Sequence, residues 1–223
     1  NDALGLIQFN GVAFHPSMPQ FLMGGTQDNG NLRTLDGLSW SDRTGSDGGF
    51  VLVRQDAHFE LAGVKAVASS QYHALALLEN GTVRAWGWNV EGQLGDGSTT
   101  ERLIPVAPTG LSNVQAVAAG EVFSMALLAD GTVKAWGANS FGQLGTGDLT
   151  GSLAPVQVSV LTDGVVEIAA GRGHAVAVRS NATVWGWGSD YYGQVGDGGQ
   201  MTYRTSPVQV SGFSGVVSIG AGS

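Results

Sequence analysis

The chain contains no cysteine, which excludes a disulfide framework, a thiol nucleophile and a thiolate metal site in any compartment. Positive charge is scarce, with 10 Lys and Arg spread singly against 18 Asp and Glu for a formal net charge of −8. Nucleic acid and anionic membranes are held by basic patches, so neither is an expected partner. No apolar run approaches the roughly 20 residues that a membrane-spanning helix requires. There is no Gly-Lys pair, no Gly-x-Ser-x-Gly and no His-Glu-x-x-His, so the common phosphate-loop, hydrolase-elbow and zinc-protease signatures are absent.

What the chain has in abundance is glycine, 36 of 223 residues, against a hydrophobic content of 43%. Abundant glycine with scattered aromatics suits short strands joined by tight turns, and the apolar content is that of a folded chain. One stretch organises the rest. NGTVRAWGWNVEGQLGDG, from Asn80 to Gly97, returns as DGTVKAWGANSFGQLGTG from Asp130 and as NATVWGWGSDYYGQVGDG from Asn181. The matching Trp86, Trp136 and Trp187 stand 50 and 51 residues apart, a period that signals a repeat array or propeller.

Each copy is preceded by a short apolar run (from Val64, Val114 and Val165) and followed by Pro105, Pro155 or Pro207 with a valine-containing stretch. A fourth copy opens at Val216. Asn80-Gly81 and Asp130-Gly131 predict two-residue hairpins of type I′, whereas Ala182 in the third copy predicts a different turn, because alanine at positive φ costs about 1 kcal/mol or more. VQAVAA from Val114 fits a strand or a helix start when read alone. The glycines at 92, 95 and 97 and their counterparts predict sharp reversals, and the prolines predict outer, edge-like strands. Three to four strands per unit is the anatomy of a propeller blade.

Residues 1–60 do not follow this pattern. Short strand-like runs there are punctuated by His15-Pro16, Asp28-Asn29-Gly30 and Asp36-Gly37, which are turn signals. VAFHPSMPQFLMGG followed by Thr34, Asp36, Gly37, Ser39 and Trp40 resembles the bacterial neuraminidase or Asp-box repeat of sortilin-like and glycosidase-like propellers, one position short of the full box. The resemblance implies one Asp-box-like blade, whose box is a structural hairpin.

From residue 64 onward, Val-x-Ala-Val-Ala-Ala-Gly, His-x-Leu-Ala-Leu, Asp-Gly-Thr-Val, Ala-Trp-Gly-x-Asn and Gly-Gln-Leu-Gly-x-Gly follow in fixed order. This resembles the repeat of the regulator of chromosome condensation family. The resemblance implies an all-β propeller with units at 64–113, 114–164 and 165–215 and the start of a fourth at 216. The family forms seven-bladed rings, so the chain is expected to be an incomplete propeller and a fragment of a larger multi-repeat protein. The union of two unlike repeat types points to a bacterial protein that is secreted or displayed at the cell surface.

Within this frame, residues shared by all copies read as scaffold. A buried tryptophan removes about 150–250 Å² from water, worth at most about 4–6 kcal/mol, so Trp86, Trp136 and Trp187 are expected in the core. Trp88 and Trp185 have no aromatic counterpart in the other copies and are expected nearer the surface. His73 and His174 share a position with Phe123, which asks for a flat ring rather than a metal ligand. Asp28, Asp36, Asp42 and Asp47 sit in turn-like surroundings where aspartate bonds its own backbone.

Recognition is then expected where the copies differ. Just before the shared Gly-Gln stand Val90-Glu91, Ser140-Phe141 and Tyr191-Tyr192. Trp88, Glu91, Phe141, Tyr191 and Tyr192 are the candidate partner-binding residues, since aromatics anchor interfaces. The expected function is a non-catalytic propeller that binds another protein, without metal or cofactor. Two alternatives stand beside it. The Asp-box likeness implies a glycosidase or sialidase, whose carboxylate pair would lie elsewhere. The second likeness implies a guanine-nucleotide exchange factor for a small GTPase.

Overall fold

The computed structural model describes residues 12–14, 22–24, 61–199, 202–213, 215–216 and 218–222. Near the N-terminus β1 (Val12–Phe14) and β2 (Leu22–Gly24) pair antiparallel, Ala13 opposite Met23. The remainder of the expected Asp-box-like blade, with Thr34, Asp36, Gly37, Ser39 and Trp40, lies outside the described residues.

The rest is three four-stranded antiparallel meanders. The first comprises β3 (Val64–Ser69), β4 (His73–Leu78), β5 (Val83–Gly87) and β6 (Arg102–Val106). The second comprises β7 (Val114–Ala119), β8 (Phe123–Leu128), β9 (Val133–Gly137) and β10 (Ser152–Gln157). The third comprises β11 (Val165–Ala170), β12 (His174–Arg179), β13 (Val184–Asp190) and β14 (Thr202–Val210). VQAVAA is therefore a strand, β7. No helix occurs among the described residues.

The alternation in the second strand of each sheet explains how the sheets stack. In a strand, successive side chains point to opposite faces. Leu75 and Leu77 of β4 pack with Ala126 and Trp136 of the second sheet, and Met125 and Leu127 of β8 pack with Ala175, Ala177 and Trp187 of the third. The small residues of β8 and β12 thus lie beside their sheet's tryptophan on one face, and the bulky residues of the preceding sheet fill the space they leave. Both faces of these strands are covered, so β4 and β8 read as near-continuous apolar runs. Trp86, Trp136 and Trp187 are all buried, as expected.

The tryptophans also stitch the sheets together. Trp136 Nε1 donates to the carbonyl of Gln93 at 2.8 Å, and Trp187 Nε1 donates to that of Gln143 at 2.9 Å. A Cβ on Gly95 would come within 2.7 Å of Trp136 Nε1, and one on Gly145 within 2.9 Å of Trp187 Nε1. Glycine is required there so that one sheet's loop can close over the next sheet's indole. β6, β10 and β14 are the outermost strands and carry the three prolines, where a missing N–H breaks no ladder.

The hairpins differ from the sequence expectation. Gly81 N bonds Leu78 O at 2.9 Å and Leu78 N bonds Thr82 O at 2.8 Å, while Gly81 is at φ 76° and Asn80 is not at positive φ. The loop is therefore a three-residue turn closed by a left-handed glycine, not a two-residue type I′ turn. The third copy keeps it, with Ala182 N on Arg179 O at 2.8 Å and Ala182 at φ 61°. Only one position needs the left-handed conformation. Asn181 Oδ1 accepts from Thr183 N at 3.2 Å and Thr183 Oγ1 at 2.7 Å, and these bonds hold the strained alanine in place.

Candidate interaction surface

The long loop between the third and fourth strands of each sheet is built by two side chains. In the first sheet, Asn89 Oδ1 accepts from Leu94 N at 2.9 Å, and Asn89 Nδ2 donates to Ser98 O at 2.9 Å and Thr100 O at 3.0 Å. Asn139 repeats this with Leu144 N at 2.9 Å and with Asp148 O and Thr150 O at 3.0 Å each. The glutamine of Gly-Gln then turns back on the loop, Gln93 Oε1 taking Glu91 N at 3.1 Å and Gln143 Oε1 taking Phe141 N at 2.8 Å. Buried amides hold the loop from beneath, so the two variable residues above them stand outward on a stiff support.

The third loop departs in one atom. Asp190 stands where Asn89 and Asn139 stand; its Oδ1 accepts from Val195 N at 2.9 Å, but its fully buried Oδ2 has no partner among the described residues. Tyr192 N still bonds Gln194 Oε1 at 2.7 Å. Arg204 Nε donates to Asp197 Oδ2 at 2.5 Å, as Arg102 Nε does to Asp96 at 2.7 Å. Arg204 and the Gly199 amide hold the Asp197 carboxyl below the usual carboxylate range. Burial opposes ionisation of Asp96, but the Ser98 hydroxyl and Arg102 outweigh it and lower that carboxyl as well.

Each long loop starts against the turn between its sheet's first two strands, through Trp88 N to Tyr72 O at 2.9 Å, Ala138 N to Val122 O at 3.0 Å and Ser189 N to Gly173 O at 2.8 Å. The two sets of loops therefore form one rim across all three sheets. Trp88 is half-buried against Tyr72, with ring centroids 5.2 Å apart. Phe141 and Tyr191, from adjacent sheets, meet edge to face at 5.9 Å. Tyr192 is 95% exposed, and Glu91 is exposed. All five candidate residues thus lie on this rim.

Sequence reading missed Tyr72, Glu121 and Arg172. Arg172 Nε bonds Glu121 Oε2 at 2.8 Å across the second and third sheets, and this contact raises the Arg172 pKa. The signal was present, since Tyr72, Val122 and Gly173 occupy one variable position. Trp185, in contrast, packs against the core cluster of the second and third sheets and bonds Thr183 Oγ1 at 3.0 Å, so it is not a rim residue. His73 is buried between Ser70 Oγ at 2.9 Å and Ser124 Oγ at 2.7 Å. Burial pushes its pKa down to about 3. No group of three or more His, Asp or Glu among the described residues is placed to hold a metal ion, and among those residues no helix is long and apolar enough to cross a membrane.

Comparison with known proteins follows the same repeat. The model for the regulator of chromosome condensation (RCC1) repeat matches residues 80–127, 130–178 and 181–223, and a second model of that repeat matches 64–93, 114–143 and 165–194. The ultraviolet-B receptor UVR8 of Arabidopsis thaliana is 36% identical over 155 residues, 68% of this chain and 35% of that protein. Prp20p from Saccharomyces cerevisiae superposes with a TM-score of 0.72 at 22% identity, over 98% of this chain and 54% of its own. Human WBSCR16 superposes at 0.63 and 21% identity, over 92% and 48%. The chain spans about a third to a half of the length of these relatives, and at such identities the two structures speak for the fold. With the repeat model covering most of residues 80–223 and the sheets stacked as blades, the chain belongs to the regulator of chromosome condensation repeat family.

Proposed function

We propose that this chain is a non-catalytic propeller module that binds another protein through the rim formed by Trp88, Glu91, Phe141, Tyr191 and Tyr192. The observation that carries the reading is the support beneath the rim: the loops that bear these side chains are tied by Asn89 and Gln93 in the first sheet, Asn139 and Gln143 in the second, and Asp190 and Gln194 in the third. Pre-ordered aromatics lose little freedom on docking, which is what an interface anchor needs. The proposed units are 64–113, 114–164 and 165–215, preceded by a separate segment at 1–60.

A photoreactive phenylalanine analogue at position 192 tests this in the source cell. Crosslinks to a discrete protein from position 192, absent when the analogue replaces Tyr203 on the outer strand β14, are expected. Equal crosslinking from both positions would overturn the choice of surface. Glycan hydrolysis by the purified chain, or acceleration of nucleotide release from a small GTPase, would overturn the non-catalytic reading in favour of one of the two enzymatic or exchange alternatives.

A further inference from the structure

Charge on the loops is unevenly spent. Arg102, Arg172 and Arg204 are each paired with a carboxylate, Asp96, Glu121 and Asp197 respectively. Glu91 and Glu101, both exposed on the first long loop, take no cation among the described residues. The rim therefore offers anionic groups with no free cation beside them, within a chain of net charge −8. The same rim carries the paired rings of Tyr72 and Trp88 and the fully presented Tyr192.

An aromatic face attracts a cation through its quadrupole, and a neighbouring carboxylate adds to that attraction. On the same rim the Arg172 guanidinium, 71% exposed, is already held by the carboxylate of Glu121. Resting on the protein-binding reading above, we propose that the rim docks an extended protein segment rich in arginine or lysine. Its cationic side chains lie over Trp88 and Tyr192, and one of them pairs with Glu91. A proline-rich segment would also suit aromatic rings, but it would leave the unpaired carboxylates without a role.

The probe is a fluorescein-labelled dodecapeptide of alternating arginine and glycine, with glutamate–glycine and proline–glycine versions alongside, titrated into the full chain by fluorescence anisotropy. The arginine peptide is expected to bind alone of the three, more weakly as salt rises. W88A and Y192A are each expected to weaken it roughly threefold to fivefold, and E91Q about twofold. W88F keeps a ring and should bind between W88A and the parent, which separates loss of the aromatic face from loss of local folding. Y203A should bind as the parent does.

Failure of the arginine peptide to bind, or binding indifferent to W88A and Y192A, would overturn the proposal. Proline-peptide binding that those two substitutions weaken would overturn the charge class while leaving the rim as a protein-binding surface. Crosslinks spread equally over positions 192 and 203 would remove the rim itself, and this inference with it.

Discussion

The indole N–H of Trp187 reaches out of its own sheet to the carbonyl of Gln143 in the sheet before it, at 2.9 Å. Among the described residues that carbonyl takes no other side-chain donor, whereas the Gln93 carbonyl accepts from both Trp136 and Ser124 Oγ. Trp86 Nε1 is buried and has no acceptor among the described residues. Replacing each tryptophan by phenylalanine removes similar bulk but a different amount of hydrogen bonding. W187F is expected to cost about 1–3 kcal/mol more than W86F, with W136F between them, measured as shifts in urea midpoint. Equal losses would mean that the tryptophans act by volume alone.

The left-handed turn position makes an opposite pair of predictions. Ala182 sits at φ 61°, where its two counterparts are Gly81 and Gly131. A182G should stabilise the chain by about 1 kcal/mol. G131A should do the reverse and by more, because its Cβ would meet Gly164 N at 2.5 Å as well as carry the strain. Thermal unfolding of the two variants checks both signs.

Acid should weaken the fold through His73. Ser124 Oγ donates to Gln93 O at 2.8 Å, so it accepts from His73 Nε2, and His73 Nδ1 accepts from Ser70 Oγ. The folded imidazole stays neutral down to a pKa of about 3, from an ordinary value of 6.5. The unfolded chain therefore binds the extra proton between those values. Stability is full above about pH 6.5 and falls with acid toward pH 3, by at most about 1.4 kcal/mol per pH unit from this group. H73F/S124A recreates the Phe123 and Ala175 pair of the next junction and should flatten the slope in that window. Half-buried His174, lowered by burial against an opposing pull from Asp190, leaves a residual slope of the same sign.

Asp190 offers the fourth test. Its orphaned oxygen occupies the place from which Asn89 and Asn139 each donate two bonds to loop carbonyls. D190N should restore a donor there and stabilise the third loop by about 1–3 kcal/mol, seen as a higher unfolding midpoint. Amide exchange at Tyr191 and Tyr192 should slow in parallel. A lower midpoint would mean that the carboxylate is needed for its neighbours Arg204 and His174.

Most of the repeat architecture was legible because its determinants are local and recur: the strand runs, the edge prolines and the positive-φ glycines all fall where the copied motifs put them. The hairpin type was misread at Asn80-Gly81, since the same dipeptide serves both a two-residue turn and a three-residue turn whose last residue alone is left-handed. The rim was half legible. Variable aromatics before Gly-Gln flagged Trp88, Phe141, Tyr191 and Tyr192, but Tyr72, Glu121 and Arg172 arrive from a separate turn that is joined only in space. Trp185, half-buried like Trp88, packs on the core cluster and not on the rim, so absence of a counterpart marks a side chain as unshared without saying which surface it joins.

The first two matched repeats, 80–127 and 130–178, begin at a hairpin turn and end in the second strand of the following sheet, so each supplies the outer half of one blade and the inner half of the next. A stretch copied from one such turn to the next would splice in like an overlapping roof tile, arriving with its own tryptophan and its own glutamine carbonyl. Duplication in this phase would lengthen the array by one blade's worth of strands.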